Sequence, residues 1–240
     1  FRLAPLSTDY NDGLISWAVT NVGQGRFISV IHDGTELSTN AVADLYSDLR
    51  KRWQGRVIYT TFSPGESEFD PLIKQQHKLK PDLVWLIGST NDIARFLIMS
   101  RQADWYPRAF VFGSVSLTTD LIISTADGAA EYAYGPALWT TDAPYPGVRD
   151  FVKDFTNRTG EKPDYHAAEA FAAIEVLASA LAKCDVIDRE NLRDKLAITN
   201  ILSVFGKIKF SSVKGYMHQN RNKSTCVQLL DQSWHSVWPL

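Results

Sequence analysis

The chain has 240 residues, of which 45% are hydrophobic and 22% are charged, and these values fit one large globular domain or two small ones. A formal net charge of -2 gives no electrostatic basis for binding nucleic acid or an anionic membrane surface. No apolar stretch of the sequence approaches the roughly 18 residues that a membrane-spanning helix needs.

Strands and helices alternate through the first half of the chain. The predicted strands are continuous apolar runs, and each of the first three is followed by a helix-start signal or by apolar residues at helical spacing. Solid apolar strands alternating with helices predict an α/β fold with a doubly wound parallel sheet, because helices then cover both faces. The predicted strands are 26–32, 56–62, 83–88 and 109–113, and the predicted helices are 38–53, 70–80 and 92–103.

The order of elements changes after Trp139. A proline-marked segment, 140–146, predicts a connection between two lobes. The residues that follow predict helices and then three strands, with an exposed loop between the first two strands. The predicted helices are 148–158, 167–183 and 189–197, the last capped by Asp188; the predicted strands are 206–210, 225–230 and 234–238, and the loop is 216–224.

Short polar sequences follow three of the predicted strands, at 33–36, 88–92 and 113–116. Right-handed crossovers bring the ends of parallel strands to one edge of a sheet, where open α/β sheets bind their ligands. Hydroxyl groups and free N–H groups at this edge can hold a carboxylate or another polar group. The candidate ligand-binding residues are therefore Asp33, Thr35, Ser89, Thr90, Asn91, Ser114 and Ser116, together with His166 at a predicted helix start.

The same residues also have a purely structural interpretation. Ser89 and Asp92 form a capping-box variant, Asp33 is a good helix N-cap, and His166 fits a surface or hinge position equally well. His166 and Glu169 lack the second histidine of a zinc helix. The sequence contains no phosphate loop, nucleophile elbow or dinucleotide fingerprint, and no metal or cofactor is predicted.

The two cysteines, Cys184 and Cys226, have no metal-binding spacing. We expect two buried thiols, because a core of this size needs no covalent staple; a disulfide is the alternative. The chain begins at Phe1 with neither a methionine nor a signal peptide, which indicates that an upstream segment has been removed.

Several stretches, taken together in their order, resemble a known family. They are Phe1–Pro5, Phe69–Ile73, Lys80–Val84, Phe151–Phe155, Pro163–Phe171, Gly206–Phe210, Val227–Gln228 and Trp234–Pro239. Their order and spacing resemble those of the type 1 periplasmic binding proteins, in the branched-chain amino-acid receptor group of ABC importers. The likeness extends over nearly the whole chain.

The resemblance implies a periplasmic or extracellular protein with two lobes that close over a small solute and deliver it to an ABC transporter permease. By this likeness, residues 10–140 with 213–240 form the second lobe, and residues 1–9 with 141–212 form a remnant of the first. The half of the first lobe that precedes Phe1 in the family is absent from this sequence. The chain is then either a fragment or a reduced relative whose missing wall comes from a partner or from a second copy in a homo-oligomer.

The ligand contacts of the family's second lobe fall, loosely, near Leu37, Thr90 and Val115. In the family these are two tyrosines and an acidic residue that takes the ligand's ammonium group, so all three are replaced here. Without that carboxylate, the ammonium group of a free amino acid would be poorly paired in the cleft, unless Asp33 or Asp92 takes it.

Two functions follow from the likeness. The first is solute binding without catalysis, for a small polar or carboxylated molecule such as an amino-acid-like compound, an amide or an organic acid. The second is a ligand-sensing ectodomain or regulator of the same fold. An enzyme is a third interpretation, but it requires a cluster of perturbed ionisable groups that the sequence does not supply.

Overall fold

A computed structural model describes residues 1–6, 9–213 and 215–238. The chain divides into two compact units, a smaller one of Phe1–Leu6 with Leu138–Lys223 and a larger one of Ser7–Ala137 with Ser224–Leu240. The predicted second lobe extends back to residue 213, whereas the structure assigns residues up to Lys223 to the smaller unit. Ser7, Thr8, Lys214, Pro239 and Leu240, all within the predicted lobes, lie outside the described residues.

Eleven strands and eight α-helices lie within the described residues. The strands are β1 (Ile28–His32), β2 (Val57–Thr61), β3 (Leu83–Ile87), β4 (Ala109–Phe112), β5 (Tyr134–Ala137), β6 (Asn200–Ser203), β7 (Gly206–Lys209), β8 (Ser211–Val213), β9 (Tyr216–Gln219), β10 (Thr225–Leu230) and β11 (Ser233–Trp238). The helices are α1 (Asp12–Trp17), α2 (Glu36–Arg52), α3 (Asp70–Leu79), α4 (Thr90–Gln102), α5 (Asp120–Thr125), α6 (Val148–Thr159), α7 (Tyr165–Leu181) and α8 (Arg189–Ala197). A π-helical turn, Ala18–Val22, extends α1, and a short 3₁₀ helix, Val115–Leu117, follows β4.

The larger unit is built on a seven-stranded sheet with the order β11-β10-β5-β4-β3-β1-β2. The five strands from β2 to β5 run parallel, and β10 and β11 are antiparallel additions at the β5 edge. Every residue of β1 and β3 is buried, as expected for central strands with helices on both faces. The predicted α/β fold with a doubly wound parallel sheet is confirmed.

Two hydrophobic cores lie on the two faces of this sheet. Val30 packs on one face with Leu45 of α2, and Ile31 packs on the other face with Phe69 and Phe96. The chain crosses from β1 to β2 in one direction and from β2 to β3 in the other, so right-handed crossovers place α2 and α3 on opposite faces. The boundary between β1 and β3 is therefore the topological switch point of the sheet.

Four of the eight described α-helices, α2, α4, α7 and α8, begin with a side-chain cap, some predicted and some not. Ser89 is the N-cap of α4, and its Oγ accepts a hydrogen bond from the Asp92 N–H at 3.2 Å, which confirms the capping-box prediction. Asp188 caps α8 as predicted, accepting from the Asn191 N–H at 2.8 Å. The N-cap of α2 is Thr35 rather than Asp33, so that prediction is wrong.

The smaller unit contains α6, α7 and α8 and two hairpins, β6–β7 and β8–β9. The segment predicted as an exposed loop, 216–224, begins instead with strand β9, because β8 supplies a partner across the turn at Gly215. Asn220 ties the end of β9 into this unit. Its side chain donates to the Leu3 carbonyl at 3.0 Å and accepts from the Lys209 N–H at 3.1 Å, which explains why this segment belongs to the smaller unit.

Helix α7 is apolar on two sides. Its inward row is Ala168, Ala172, Val176 and Ala180, yet Ile174 and Leu177 on its outer side are 66% and 38% exposed. The two acidic residues of this helix, Glu169 and Glu175, are half-buried, so they add no charge to the outer side. Within the described part of the chain, no helix combines the length and apolar character that a bilayer span needs.

We expect Ile174→Glu to reduce the fluorescence of a dye that binds exposed apolar surface, with a change in melting temperature of less than about 3 °C. The substitution removes exposed apolar area and buries no charge. Dye titration and thermal unfolding of the purified chain measure both effects. Asn157→Glu, at an exposed position of α6, adds the same charge without removing apolar area and is the matched control. Equal dye binding by the two variants would contradict the prediction.

Candidate functional site

The carboxyl ends of β1, β3 and β4 meet at one edge of the larger unit's sheet, because these strands are parallel neighbours. The backbone N–H of Asp33 donates to the Ile87 carbonyl at 3.2 Å and so fastens the end of β1 to β3. Seven of the eight predicted site residues lie along this edge, within or just after the strand ends: Asp33, Thr35, Ser89, Thr90, Asn91, Ser114 and Ser116.

Asp33 is the buried centre of this edge, at 4% exposed. Its Oδ1 accepts from the Thr35 hydroxyl at 2.7 Å and from the Thr35 N–H at 3.1 Å. The Ser38 hydroxyl and the Ser89 N–H also donate to its carboxylate. Asp33 thus joins the loop after β1 to the loop after β3, directly across the switch point.

Burial raises the pKa of the Asp33 carboxyl, but the hydrogen bonds from Ser38, Thr35 and the Ser89 backbone outweigh it, so the pKa lies below its ordinary value. The carboxylate is therefore ionised at neutral pH. Burial lowers the pKa of the neighbouring His32, against the opposing effect of Asp33. Neutral His32 accepts a hydrogen bond at Nδ1 from the Gly34 N–H at 3.3 Å.

Asp92 has a similar role at the start of α4. It is 4% exposed, and its Oδ2 accepts from the Ser89 hydroxyl at 2.8 Å and from the Gly65 N–H at 3.1 Å. Arg95 lies 3.8 Å from the other carboxylate oxygen. Asp92 therefore holds the loop between β2 and α3 against the first turn of α4. In that turn Asn91 is exposed and Thr90 is half-buried.

The loop after β4 presents two hydroxyl groups. The Oγ atoms of Ser114 and Ser116 lie 2.7 Å apart, and Ser114 caps the short 3₁₀ helix. Gly113 permits this close approach of β4 to β3, because a Cβ there would lie 2.5 Å from Ile87 Cγ1. Val115, near which the family's acidic contact falls, is an apolar residue that is 9% exposed.

His166 lies in the smaller unit, so the structure does not group it with the other predicted residues. It occupies the first turn of α7, two residues after the N-cap Asp164. Its exposed ring packs against the Tyr165 ring with centroids 3.9 Å apart.

A cavity of about 660 Å³ opens beside Asp33, in the larger unit, and we call it the edge cavity. The loop between β2 and α3 and the first turn of α3 form most of its wall. The residues of this loop and this turn were not among the predicted site residues. The signal was nevertheless present, because Ser63-Pro64-Gly65-Glu66 is a fourth polar sequence directly after a parallel strand. The residues that line it include Asp33, Phe62, Glu66, Glu68, Phe69 and Leu72.

Both cysteines are free, with Cys226 buried and Cys184 half-buried. Among the described residues, no group of three or more histidine, cysteine or acidic side chains is arranged to hold a metal ion. The groups at the sheet edge are hydroxyls, one exposed amide and buried carboxylates. Such groups can form hydrogen bonds to a polar solute.

Comparison with known proteins places these observations in a family. A family model described as "Periplasmic binding protein" matches residues 1–232. A leucine binding protein from Thermotoga maritima superposes with a TM-score of 0.79 at 17% identity, covering 98% of this chain and 66% of its own. A Brucella ovis protein described as binding leucine, isoleucine, valine, threonine and alanine gives 0.81 at 15% identity, covering 97% of this chain and 60% of its own.

A solute binding protein of an ABC transporter from R. palustris, solved with benzoate, gives a TM-score of 0.68 at 18% identity, covering 96% of this chain and 61% of its own. The chain therefore spans less than two thirds of the length of these three proteins. At such low identity the structures establish a shared fold.

Proposed function

The chain belongs to the periplasmic binding protein family, and from this premise we propose that it binds a solute for an ABC importer, without catalysis. Membership of this family places it in an extracytoplasmic compartment, in the periplasm or outside the cell. The proposed solute is a small polar or carboxylated organic molecule: an amino-acid-like compound, an amide or an organic acid. The proposed partner is the membrane permease that receives this solute.

The observation that carries the proposal is the construction of the switch-point edge. Asp33 and Asp92 are buried carboxylates whose hydrogen bonds connect the loops after β1, β2 and β3. Their hydrogen bonds are made within the protein, so they hold the loops in position. A wall organised before the solute arrives costs little conformational entropy on binding.

The groups that the ends of β3 and β4 offer to a solute at this wall are neutral. Asn91 and Ser116 are exposed and Thr90 is half-buried, so an amide and hydroxyls are available beyond the two buried carboxylates. A carboxylate or amide group of the solute fits such donors, as does the N-terminal turn of α4. The benzoate complex of a structural relative is consistent with a small acidic solute.

Asn91→Ala combined with Thr90→Ala is expected to weaken solute binding at least about 10-fold, since each removed hydrogen bond to a solute contributes on the order of 1 kcal/mol. Calorimetric titration of the chain with a panel of amino acids, amides and organic acids first identifies the solute. The double variant is then titrated with that solute. Asn157→Ala, exposed on α6, is the control and should leave the affinity unchanged. No binding by any member of the panel would refute the proposal.

A second candidate is a ligand-sensing ectodomain or regulator, which the replaced positions favour. Leu37 is 81% exposed and Val115 is apolar, so neither reproduces the family's solute contact. A transmembrane helix or signalling domain encoded in the same reading frame would support sensing over transport.

The length of the chain relative to its structural relatives is relevant to how the protein assembles, whether it serves in transport or in sensing. Because the chain spans 60–66% of two of its relatives, we propose that another polypeptide segment or a second copy of the chain supplies the remaining wall. The molar mass in solution, from light scattering after gel filtration, distinguishes a homo-oligomer from a monomer.

A further inference from the structure

We propose that the edge cavity is a subsite for the cationic end of an organic solute, a primary ammonium group attached to an apolar body. The inference rests on the proposed solute-binding function, which it narrows. Of the residues that line the edge cavity, only Asp33 belongs to the site predicted from the sequence.

The size and walls of the cavity suit a portion of a small molecule. Its volume of about 660 Å³ lies within the roughly 300–1,000 Å³ of small-molecule sites. Phe62 and Phe69 form an aromatic corner, with ring centroids 5.2 Å apart at an interplanar angle of 76°. Leu72, on the first turn of α3, adds aliphatic surface. Phe62 and Leu72, which are half-buried, can pack against the hydrocarbon portion of a solute, and the fully buried Phe69 supports the Phe62 ring from behind.

The charged side chains that line the edge cavity are all acidic. Asp33, Glu66 and Glu68 contribute carboxyl groups, and none of the other lining residues is a lysine, arginine or histidine. Glu66 Oε1 accepts hydrogen bonds from the N–H groups of Ser67 and Glu68, both at 2.9 Å, so its carboxylate is held in place. The cavity therefore has a fixed negative potential before any solute binds.

Arg95 contacts one residue of the cavity wall, but its guanidinium is engaged with groups outside the cavity. It donates to the backbone carbonyl of Glu66 and lies 3.8 Å from the Asp92 carboxylate. It does not line the cavity. The positive charge of Arg95 is thus paired with Asp92, and the three lining carboxylates keep their excess negative charge.

The Asp33 carboxylate lies where the acidic and aromatic parts of the cavity wall meet. A Cβ on Gly88 would lie 3.3 Å from both Asp33 Oδ2 and Phe62 Cζ, so this ring edge and this carboxylate approach the same point. An ammonium group near this carboxylate gains Coulomb attraction. A carboxylate in the same place would be repelled. The subsite therefore selects amines over acids of the same shape.

The test compares three probes of similar shape: 2-phenylethylamine, 3-phenylpropionate and 2-phenylethanol. Calorimetric titration of the whole chain at low ionic strength should show the amine binding at least 10-fold more tightly than the acid or the alcohol. Raising the salt concentration should weaken only the amine. Equal affinity for the three probes, or preference for the acid, would overturn the inference.

Glu66→Gln combined with Glu68→Gln should reduce amine affinity at least 10-fold, while thermal unfolding reports that the fold is kept. Glutamine at position 66 retains the oxygen that accepts from the loop N–H groups. Leu72→Lys, which places a cation in the cavity wall, should abolish amine binding. Glu190→Gln, exposed on α8, is the matched control.

The two proposals fail separately. Binding of a solute from the wider panel, with amine affinity unchanged in the glutamine variants, would overturn the subsite and leave solute binding intact. Amine binding that the glutamine variants lose, with no member of the solute panel bound, would support the subsite and count against the importer function.

Discussion

Replacing Phe69 with alanine is expected to lower the free energy of unfolding by about 3 to 5 kcal/mol. Phe69 is fully buried where α3 begins, in the core between the sheet and the helices α3 and α4. Its ring makes edge-to-face contacts with Phe62 and Phe96, at centroid distances of 5.2 and 5.4 Å. The truncation loses these contacts and leaves a cavity between rigid elements, so little of the loss is recovered by repacking.

Denaturant unfolding of the chain measures the effect of Phe69→Ala. Phe110→Ala is the matched control, because Phe110 is half-buried against the same core and should cost less. A loss below about 1 kcal/mol for Phe69→Ala would show that this core does not hold the start of α3. Since Phe69 also supports the Phe62 ring in the wall of the edge cavity, the variant should bind the amine probe more weakly as well.

Replacing Asp33 with asparagine is expected to lower the free energy of unfolding by about 2 to 3 kcal/mol at neutral pH. Asparagine keeps the shape of the side chain but exchanges one acceptor oxygen for a donor group. The hydroxyl and N–H donors of Thr35, the Ser38 hydroxyl and the Ser89 N–H would then share a single acceptor in a buried place. Asp104→Asn, at an exposed turn position, is the control and should change stability little.

The pH dependence separates this role from simple packing. The pKa of Asp33 is lower in the folded protein than its ordinary value, so its contribution is fully present above that ordinary value. The contribution is lost as pH falls through the folded-state pKa. The stability difference between the native chain and Asp33→Asn should therefore shrink on acidification. A difference that stays constant across acidic pH would assign Asp33 a purely steric role.

The local sequence was enough to predict a feature when that feature depends on residues of the same helix or strand. The apolar runs of β1 and β3 predicted buried central strands, because covering both faces of a strand leaves no place for a polar side chain. Ser89 and Asp188 were identified as caps from the spacing of the residues they cap. The polar strand ends were likewise predicted to share one edge, since parallel strands allow no other arrangement.

The remaining features depend on partners distant in the sequence. Asp33 is of a residue type favoured at helix N-caps. Only the adjacency of β1 and β3 shows that it connects two loops instead. Strand β9 forms because β8 lies opposite it, in a segment that the sequence alone predicted to be a loop.

The sequence by itself determined the fold class, the helix caps Ser89 and Asp188 and the edge of the sheet that offers polar groups, because periodicity and spacing govern these locally. Only the tertiary structure decided that Asp33 and Asp92 are structural ties and that the loop after β2 joins the wall. It also decided that Phe62, Phe69 and three acidic residues line one open cavity. Strand order and side-chain partners come from contacts between segments far apart in the chain, and no local pattern encodes them.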